Sequence, residues 1–300
     1  MLGGGDDCAL FAVPPGRHVA TSTDLLLEGR HFFPDVDPNS LGHKALAVNL
    51  SDLAAMGAEP IGCVLGLALP HADDAWLAAF ADGFYALADR HGCPLIGGDT
   101  TRGDQLAISV TVFGSVEPER ALRRSAAVAG DDLWVSGELG AADVALRLLQ
   151  HGLLEDQSLL AATRPALERP EPQVALGRAL SGIAHAAIDI SDGLLQDLGH
   201  ILKASACGAL IDYTALPVHH ALVNLPEAWL REAVLSGGDV YQLCFTAAPA
   251  DRDRIRQAAK DAGVTVACVG RIENDPGLRV MLPDGAMLAN LPGGFDHFRE

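Results

Sequence analysis

The chain is poor in lysine and in basic charge. Its 300 residues include 39 acidic and 21 basic side chains, for a formal net charge of −18. The lysines are Lys44, Lys203 and Lys260, and none follows the glycine-rich turn that a phosphate-binding loop requires. The chain therefore lacks the positive field that attracts nucleic acid or anionic lipid. We expect no nucleic-acid partner, no membrane partner and no Walker-type nucleotide site.

Several other signals are absent as well. The six cysteines form no Cys-x-x-Cys pair, which favours reduced, buried thiols over a disulfide or zinc framework. No apolar run approaches the roughly 20 residues that span a bilayer, and no basic-then-apolar leader is visible, so we expect a cytoplasmic protein. The serine-nucleophile elbow, the His-Glu-x-x-His motif and a correctly spaced dinucleotide fingerprint are missing. The adjacent His219 and His220 are interpreted as a polar loop rather than a zinc site.

The composition favours a folded protein of two domains, because 49% of the residues are hydrophobic and the chain is long enough for two cores. Apolar spacing in the first half predicts strands over 17–23, 61–69 and 106–116 and helices over 39–57 and 73–91. The first strand should deliver Asp24 at its end, and the first helix should have Asn39 or Ser40 as its N-cap.

The polar stretch 117–131 has turn residues and no clear period, so we place the domain boundary there. An N-terminal α/β domain would comprise residues 1–125 and a C-terminal α/β domain residues 126–300. In the second half, strands are predicted over 133–136, 186–190, 241–246 and 264–270, and helices over 141–150, 172–184, 193–204 and 251–262. The expected fold class is α/β with mixed sheets.

A set of aspartates beside glycine turns or at strand–helix junctions carries most of the chemical information. They are Asp6, Asp7, Asp24, Asp52, Asp99, Asp189 and Asp192. Clustered carboxylates repel one another, and metal ions remove that conflict. Mg²⁺ prefers oxygen ligands and is commonly held by carboxylates together with substrate phosphates. A single aspartate beside glycine is usually only a turn former. However, Asp52 lies inside an apolar helical stretch, and Asp189 ends a buried strand, where α/β sheets place ligands.

Six stretches carry a family resemblance and follow one another over almost the whole chain. They are 5–10, 22–32, 44–57, 95–103, 187–194 and 294–298. The most specific are Asn-Leu-Ser-Asp-Leu-Ala-Ala-Met-Gly at 49–57 and Gly-Gly-Asp-Thr-Thr-Arg-Gly at 97–103. Together they resemble the thiamine-monophosphate kinase family, which belongs to a superfamily with aminoimidazole ribonucleotide synthetase and selenophosphate synthetase.

The resemblance implies the two-domain architecture of that superfamily, a homodimer formed through the N-terminal domain, and transfer of the ATP γ-phosphate to thiamine monophosphate. It also implies several Mg²⁺ ions, whose ligands would be Asp7, Ser22, Thr23, Asp24, Asp52, Asp99, Asp189 and Asp192. The implied ATP contacts are Gly98, Asp99, Arg124 and Ser191. The implied acceptor-site residues are His31, Asp239 and Phe295. The expected catalytic residues are Asp24, Asp52, Asp99 and Asp192.

The chain departs from the family at one motif. The family pattern Gly-Gly-Glu-Asp-Tyr-Glu-Leu reads Gly-Gly-Asp-Val-Tyr-Gln-Leu at 237–243, so Val240 and Gln242 replace two carboxylates and Asp239 is one methylene shorter than the family's glutamate. Two alternatives therefore stay open: an ATP-binding paralogue without transfer activity, and a sister enzyme with a different acceptor. If the chain is a kinase, we expect direct transfer without a covalent phosphoenzyme, because a phosphate oxygen of the acceptor is already ionised.

Overall fold

A computed structural model of the chain describes residues 8–150 and 156–294. The chain divides into two compact units. The first comprises Met1–Ala121 with Glu168–Val174, and the second comprises Leu122–Leu167 with Ala175–Glu300. The first unit thus ends a few residues before the boundary predicted from the sequence, and it includes a later segment that the prediction assigned to the other domain.

Polar contacts hold this later segment, 168–174, in the first unit. Nε2 of His43 lies 2.8 Å from the carbonyl oxygen of Pro170, and Arg90 forms an ion pair of 2.7 Å with Glu171. Arg169 donates to the side-chain oxygen of Asn39 at 2.8 Å. Such contacts join residues far apart in sequence and leave no periodic pattern, which is why the sequence did not reveal the return of the chain.

The first unit contains a mixed four-stranded sheet and two helices. The strands are β1 (His18–Leu27), β2 (Glu59–Leu69), β3 (Leu95–Arg102) and β4 (Ala107–Val116), in the order β1-β4-β2-β3. Strand β4 is antiparallel to β1 and β2, whereas β2 and β3 are parallel. The helices are α1 (Pro38–Ala55) and α2 (Asp74–His91).

Helix α1 is buried between the sheet and α2. Its apolar residues, such as Leu46 and Leu50, have no exposed surface. The two helices approach closely at two glycines: a Cβ on Gly42 would lie 2.0 Å from a backbone oxygen of α2, and one on Gly83 would lie 1.9 Å from a backbone oxygen of α1. Helix α1 begins after Asp37, whose carboxylate accepts the N–H of Ser40 at 2.9 Å. The N-cap predicted at Asn39 or Ser40 is therefore wrong, because Pro38 already fits the first helical turn.

Side chains of β1 alternate between the α1 side of the sheet and the opposite face. Leu26 is 5% exposed, whereas Val19 and Leu25 on the opposite face are 50% and 53% exposed. On that same face the hydroxyl of Thr23 contacts the hydroxyl of Thr111 on β4. The outer face of the sheet thus presents apolar and hydroxyl side chains.

The second unit contains a six-stranded sheet in the order β10-β7-β9-β5-β8-β6. The strands are β5 (Asp132–Ser136), β6 (Ala186–Asp189), β7 (Gly208–Asp212), β8 (Leu243–Ala247), β9 (Val266–Glu273) and β10 (Gly277–Met281). Strand β10 is parallel to β7, and the other neighbouring pairs are antiparallel. The helices are α3 (Ala141–Leu149), α4 (Gln157–Glu168), α5 (Val174–Leu180), α6 (Leu194–Ser205), α7 (Glu227–Ser236) and α8 (Arg252–Ala262).

Alternation along β5 shows that this sheet is covered on both faces. Leu133 belongs to the apolar core that includes Leu198 of α6. Trp134 points to the other face, where it stacks on Phe245 with ring centroids 6.2 Å apart and lies beneath Arg256 of α8. Strand β6 ends at Asp189 and α6 begins at Leu194, so these two elements flank the turn that contains Asp192.

The predicted α/β class with mixed sheets is confirmed. Strands β3, β7 and β10 and helices α4 and α7 were not predicted. The first strand continues to Leu27, so Asp24 lies within β1 rather than at its end, and Asp99 lies within β3 rather than in a turn. In the ranges that the structure describes, no helix is both long and apolar enough to cross a bilayer.

Candidate active site

Asp24 and Asp52 form a carboxylate pair in the first unit. Asp24 follows Ser22 by two residues and shares its face of β1, and Asp52 follows Asn49 by three residues and shares its face of α1. The hydroxyl of Ser22 donates to Oδ2 of Asp52 at 2.6 Å, and the backbone N–H of Asp24 donates to Oδ1 of Asn49 at 3.1 Å. The strand and the helix therefore bring the two carboxylates together. Asn49, which is 1% exposed, was not among the predicted site residues.

The environment of this pair suits a divalent cation. Burial, together with the smaller effect of the charge of Asp52, raises the pKa of Asp24 from 3.8 to about 6. A cation held between the two carboxylates would remove the repulsion that opposes their ionisation. The oxygens of Asp24, Asp52 and Ser22 are of the type that Mg²⁺ prefers. The residues present therefore fit a Mg²⁺ site.

Asp99 lies elsewhere on the same sheet. It is exposed on the edge strand β3, where it pairs with Gly66 of β2. The register continues through β4 to Leu25 of β1, the residue that follows Asp24. Asp99 is therefore three strands away from β1, about 14 Å at the usual strand spacing. Gly98 has φ +154°, and a Cβ there would lie 2.0 Å from the carbonyl oxygen of Leu65, so only glycine allows this pairing.

Thr23 also lies away from the pair. Its side chain is on the outer face of the sheet, against Thr111, whereas its neighbours Ser22 and Asp24 face α1. The structure thus brings together Ser22, Asp24 and Asp52 among the predicted ligands of this unit, and it separates the side chain of Thr23 from them.

His31 lies in the turn that follows β1. Its Nδ1 accepts the N–H of Leu27 at 3.0 Å, which leaves the proton of the neutral ring on Nε2. The ammonium group of Lys44, a residue only 3% exposed, donates to the carbonyl oxygen of His31 at 3.4 Å. The ring and the backbone of His31 are therefore both held in place. Its contact with an acceptor substrate stays a prediction.

Asp189 and Asp192 lie at the turn between β6 and α6 in the second unit. Asp189 is the last residue of β6 and is 5% exposed. Asp192 is partly exposed, and its Oδ2 accepts the side-chain amide of Gln196 at 3.1 Å. Ser191 lies between them. The prediction of acidic residues at a strand–helix junction is confirmed for this turn, which we call the acidic turn, residues 189–193.

Asp197 supports the acidic turn from within α6. Its Oδ2 accepts the N–H groups of Ser191 and Asp192 at 3.0 Å and that of Gly193 at 3.2 Å. The pKa of Asp197 is raised to about 7, chiefly by burial; the charge of Asp192 contributes to the rise, and the hydrogen bonds from the turn reduce it. Asp197 was not among the residues predicted from the sequence. Its position four residues after Gly193 is the signal, because that spacing returns a side chain to the start of the helix.

The segment 237–242 packs against the acidic turn. The N–H of Asp239 donates to the carbonyl of Ser191 at 2.8 Å, and a Cβ on Gly238 would lie 2.6 Å from the same oxygen. Asp239 and Tyr241 have φ of 59° and 52°, a conformation that non-glycine residues rarely adopt. The hydroxyl of Tyr241 donates to Oδ1 of Asp239 at 3.2 Å. Strained backbone of this kind is common at functional sites.

The two uncharged replacements in the family motif, Val240 and Gln242, have structural roles in this segment. Oε1 of Gln242 accepts the hydroxyl of Ser136 at 2.7 Å, and that hydroxyl oxygen accepts the N–H of Leu243 at 2.9 Å. An amide oxygen serves this bond as a carboxylate oxygen would. Val240 packs against the apolar core of the second unit. Both replacements are therefore compatible with the local fold.

The remaining predicted residues lie apart from the acidic turn or outside the described residues. Arg124 is exposed in a 3₁₀ turn, and its carbonyl accepts the hydroxyl of Ser205 at 2.8 Å, at the opposite end of α6 from Asp192. Asp7 and Phe295 lie outside the described residues. Gly294, which precedes Phe295, lies against the acidic turn, since a Cβ there would be 2.6 Å from the carbonyl oxygen of Asp192.

Another group of potential metal ligands lies in the described part of the second unit. Glu138, His219 and His220 each place a ligand atom within 4.8 Å of the other two. The N–H of Ala221 donates to Nδ1 of His219 at 3.3 Å, so the neutral ring carries its proton on Nε2, the nitrogen that faces Glu138. A protonated nitrogen has no lone pair for a metal ion. The geometry favours the interpretation as a polar loop.

Comparisons with known proteins cover the whole chain. Residues 5–116 match the family described as "AIR synthase related protein, N-terminal domain", and residues 128–283 match its C-terminal domain. The thiamine-monophosphate kinase of Escherichia coli (strain K12) is 45% identical over 303 aligned residues, which cover 99% of this chain and 92% of that one. A crystal structure of thiamine-monophosphate kinase from Stenotrophomonas maltophilia K279a has a TM-score of 0.88 and 46% identity, covering 95% of this chain and 91% of that one.

A further structure, described as AaThiL complexed with AMPPCP and TMP, has a TM-score of 0.82 and 28% identity and covers 96% of this chain and 89% of that one. The likeness therefore extends over both units, and the acidic stretches fall within the matched ranges. This chain belongs to the thiamine-monophosphate kinase family.

Proposed function

We propose that this chain transfers the γ-phosphate of ATP to thiamine monophosphate, giving thiamine diphosphate and ADP, with the help of Mg²⁺. The observation that carries the proposal is the 45% identity, over 99% of the chain, to a relative named thiamine-monophosphate kinase. The structural relative complexed with AMPPCP and TMP supports both substrates. The retained carboxylates of the two units support a metal-assisted reaction.

In the first unit, Asp24, Asp52 and Ser22 are the proposed Mg²⁺ ligands. The hydrogen bond from Ser22 orients the carboxylate of Asp52, and Asn49 fixes the backbone at Asp24. In the second unit, Asp189 and Asp192 are the proposed ligands, and Ser191 is a proposed ATP contact. When bound, Mg²⁺ would neutralise the phosphate oxygens and stabilise the charge of the transferring group. Asp7, Thr23, Asp99, Gly98 and Arg124 stay proposed site residues on the family resemblance.

The acceptor side of the site needs orientation more than acid–base chemistry. The attacking phosphate oxygen of thiamine monophosphate is ionised near neutral pH, so no strong general base is required. Asp239 offers a carboxylate to the cationic thiazolium ring of this substrate, and Tyr241 holds that carboxylate through a hydrogen bond of 3.2 Å. His31 and Phe295 are the other proposed acceptor contacts. We expect direct transfer, dominated by positioning, without a phosphoenzyme.

We also propose a homodimer formed through the outer face of the first unit's sheet. Exposed apolar side chains such as Val19 and Leu25 on one sheet face are typical of interaction surfaces. Leu25→Glu should therefore convert a dimer to a monomer in light scattering after gel filtration. The matched control is Tyr85→Glu on α2, whose side chain is also exposed but lies away from this face. A Leu25→Glu variant that keeps the wild-type mass would exclude this interface.

A cytoplasmic location is part of the proposal. It is supported by the six cysteines, all of which are free thiols in the structure, as is usual in a reducing compartment.

A direct assay tests the proposed reaction. The purified chain is incubated with ATP, MgCl₂ and thiamine monophosphate, and thiamine diphosphate and ADP are measured by chromatography. We expect stoichiometric products that disappear with EDTA. Asp52→Asn should abolish transfer, and Asp82→Asn, on the exposed side of α2, should not. ATP binding without products would indicate an inactive paralogue, and ADP without thiamine diphosphate would indicate a different acceptor.

A further inference from the structure

The turn that precedes α6 has the backbone geometry of an anion-binding site. Successive backbone N–H groups that converge on one point form a concave site that commonly binds phosphate. Here the N–H groups of Ser191, Asp192 and Gly193 converge on Oδ2 of Asp197, at 3.0, 3.0 and 3.2 Å. A carboxylate of the chain itself thus occupies the position that a phosphate oxygen would take.

The acidic turn is held on its other side as well. Gly193 has φ +118°, and a Cβ there would lie 2.5 Å from the carbonyl oxygen of Ser236. The carbonyl of Ser191 accepts the N–H of Asp239 at 2.8 Å. Contacts on both sides therefore hold the backbone of the turn, and Asp197 accepts three of the hydrogen bonds that maintain it.

We propose that Asp197 is a positioning residue. Its carboxylate accepts the three N–H groups of the turn and thereby fixes the direction of the Asp192 side chain. Because these N–H groups are already bonded, a phosphate would bind at this turn through cations held by Asp189 and Asp192. The inference rests on the proposed function, because it concerns how that site holds its metal ion. Asp197 is 3% exposed, so it acts through the turn and not as a ligand. Residues that orient metal ligands usually change metal affinity by roughly 10- to 100-fold.

Metal binding to the full chain tests this role without any need for turnover. Mn²⁺, used in place of Mg²⁺, is titrated and the free ion is followed by electron paramagnetic resonance. The Mn²⁺ sites that are lost in the Asp192→Asn variant are the Asp192-dependent class. Asp197→Ala should raise the dissociation constant of this class about 10- to 100-fold. Asp197→Asn should raise it less, because its amide oxygen can still accept from the turn. Asp261→Ala, which removes an exposed helical aspartate of the same unit, should leave it unchanged.

Turnover gives a second measurement. In the variants, the Mg²⁺ concentration for half-maximal transfer should rise by the same factor as the Mn²⁺ dissociation constant, while KM for thiamine monophosphate stays at the wild-type value. A purely structural role would lower the amount of folded protein, seen by circular dichroism, and leave both metal constants unchanged. If Asp197→Ala does not fold, Asp197→Asn decides.

Folded Asp197 variants that bind Mn²⁺ with wild-type affinity would overturn the proposal. A wild-type chain that has no Mn²⁺ sites of the Asp192-dependent class would also overturn it. If the wild-type chain binds Mn²⁺ in this class but transfers no phosphate, the proposed function fails, and the comparison of Mn²⁺ constants still decides the role of Asp197.

Discussion

The carboxylate pair of the first unit should make the metal-free protein less stable as the pH rises. The pKa of Asp24 in the folded chain is about 6, against 3.8 for an ordinary aspartate. The folded state therefore binds the proton of Asp24 more tightly than the unfolded state does. The stability that this proton contributes is fully present below pH 3.8 and is lost as the pH rises through 6. At 1.36 kcal/mol per pKa unit, the loss is about 3 kcal/mol.

Asp24→Asn removes this loss because the amide stays neutral at every pH. Without metal, the variant should match the wild-type chain near pH 4 and exceed its unfolding free energy by up to about 3 kcal/mol at pH 8. Mg²⁺ should stabilise the wild-type chain, since it binds the folded state, and should have less effect on the variant. The substitution should therefore increase stability and abolish transfer at the same time.

Urea unfolding in EDTA at pH 4.5 and pH 8 measures the difference. Replacing Trp134 and Trp229 by Phe leaves Trp76 of α2 as a fluorescence probe of the first unit. The chain with Asp24→Asn and the chain with Asp24 are compared in that background. Asp104→Asn, on an exposed residue of the same unit, is the control. An Asp24→Asn chain that is no more stable than the wild-type chain at pH 8, or a difference in stability that is the same at both pH values, would exclude Asp24 as the cause of the pH dependence.

Three further predictions concern packing, the altered motif and acid stability. Gly83→Ala should cost at least about 2 kcal/mol, because its Cβ would lie 1.9 Å from a backbone oxygen of α1. Gly199→Ala, in open space on α6, should instead raise stability by up to about 1 kcal/mol in the same urea titration, because alanine is the better helix former. Gln242→Glu should keep kcat within a few-fold because the bond from Ser136 is retained, and Gln242→Leu should lower it; equal rates would contradict this role. Burial lowers the pKa of His43 below 6.5, so the unfolded chain takes up a proton first and stability should fall as the pH drops below 6.5; His43→Gln should flatten that part of the stability profile, and an unchanged slope would exclude His43 as its source.

The sequence predicted the elements whose hydrophobic spacing is regular and whose ends carry clear signals. Helix α2 begins after Asp73, which caps the N–H of Trp76, and ends at Gly92 in the left-handed conformation. Both signals are local, so they can be read without the fold. Strand β3 was missed because Gly97, Gly98 and Asp99 resemble a turn in isolation, and only pairing with β2 makes them extended.

The same limit applies to the candidate site. The motifs identified Asp24, Asp52, Asp189 and Asp192, because acidic residues in apolar or strand-end contexts stand out in a sequence. The side chains that orient them did not stand out. Asp197 resembles any polar residue in the first turns of a helix until three N–H groups are seen to converge on its Oδ2. Convergence of this kind depends on backbone geometry, which composition and spacing do not contain.

The two carboxylate sets share a physical arrangement although their local folds differ. Asp52 accepts a short bond from the hydroxyl of Ser22, and Asp192 accepts a bond from the amide of Gln196, so each carboxylate has a neutral donor that orients it. A lysine or arginine in the donor's place would stabilise the metal-free protein but would compete with Mg²⁺ for the same oxygens. A neutral donor would leave the charge of the carboxylate available to a cation, and the raised pKa of Asp24 reflects the cost in stability of that charge in the metal-free protein. Ser22→Lys should therefore stabilise the metal-free chain at pH 8 and raise the Mg²⁺ concentration needed for transfer; a lower stability with unchanged Mg²⁺ dependence would contradict this explanation.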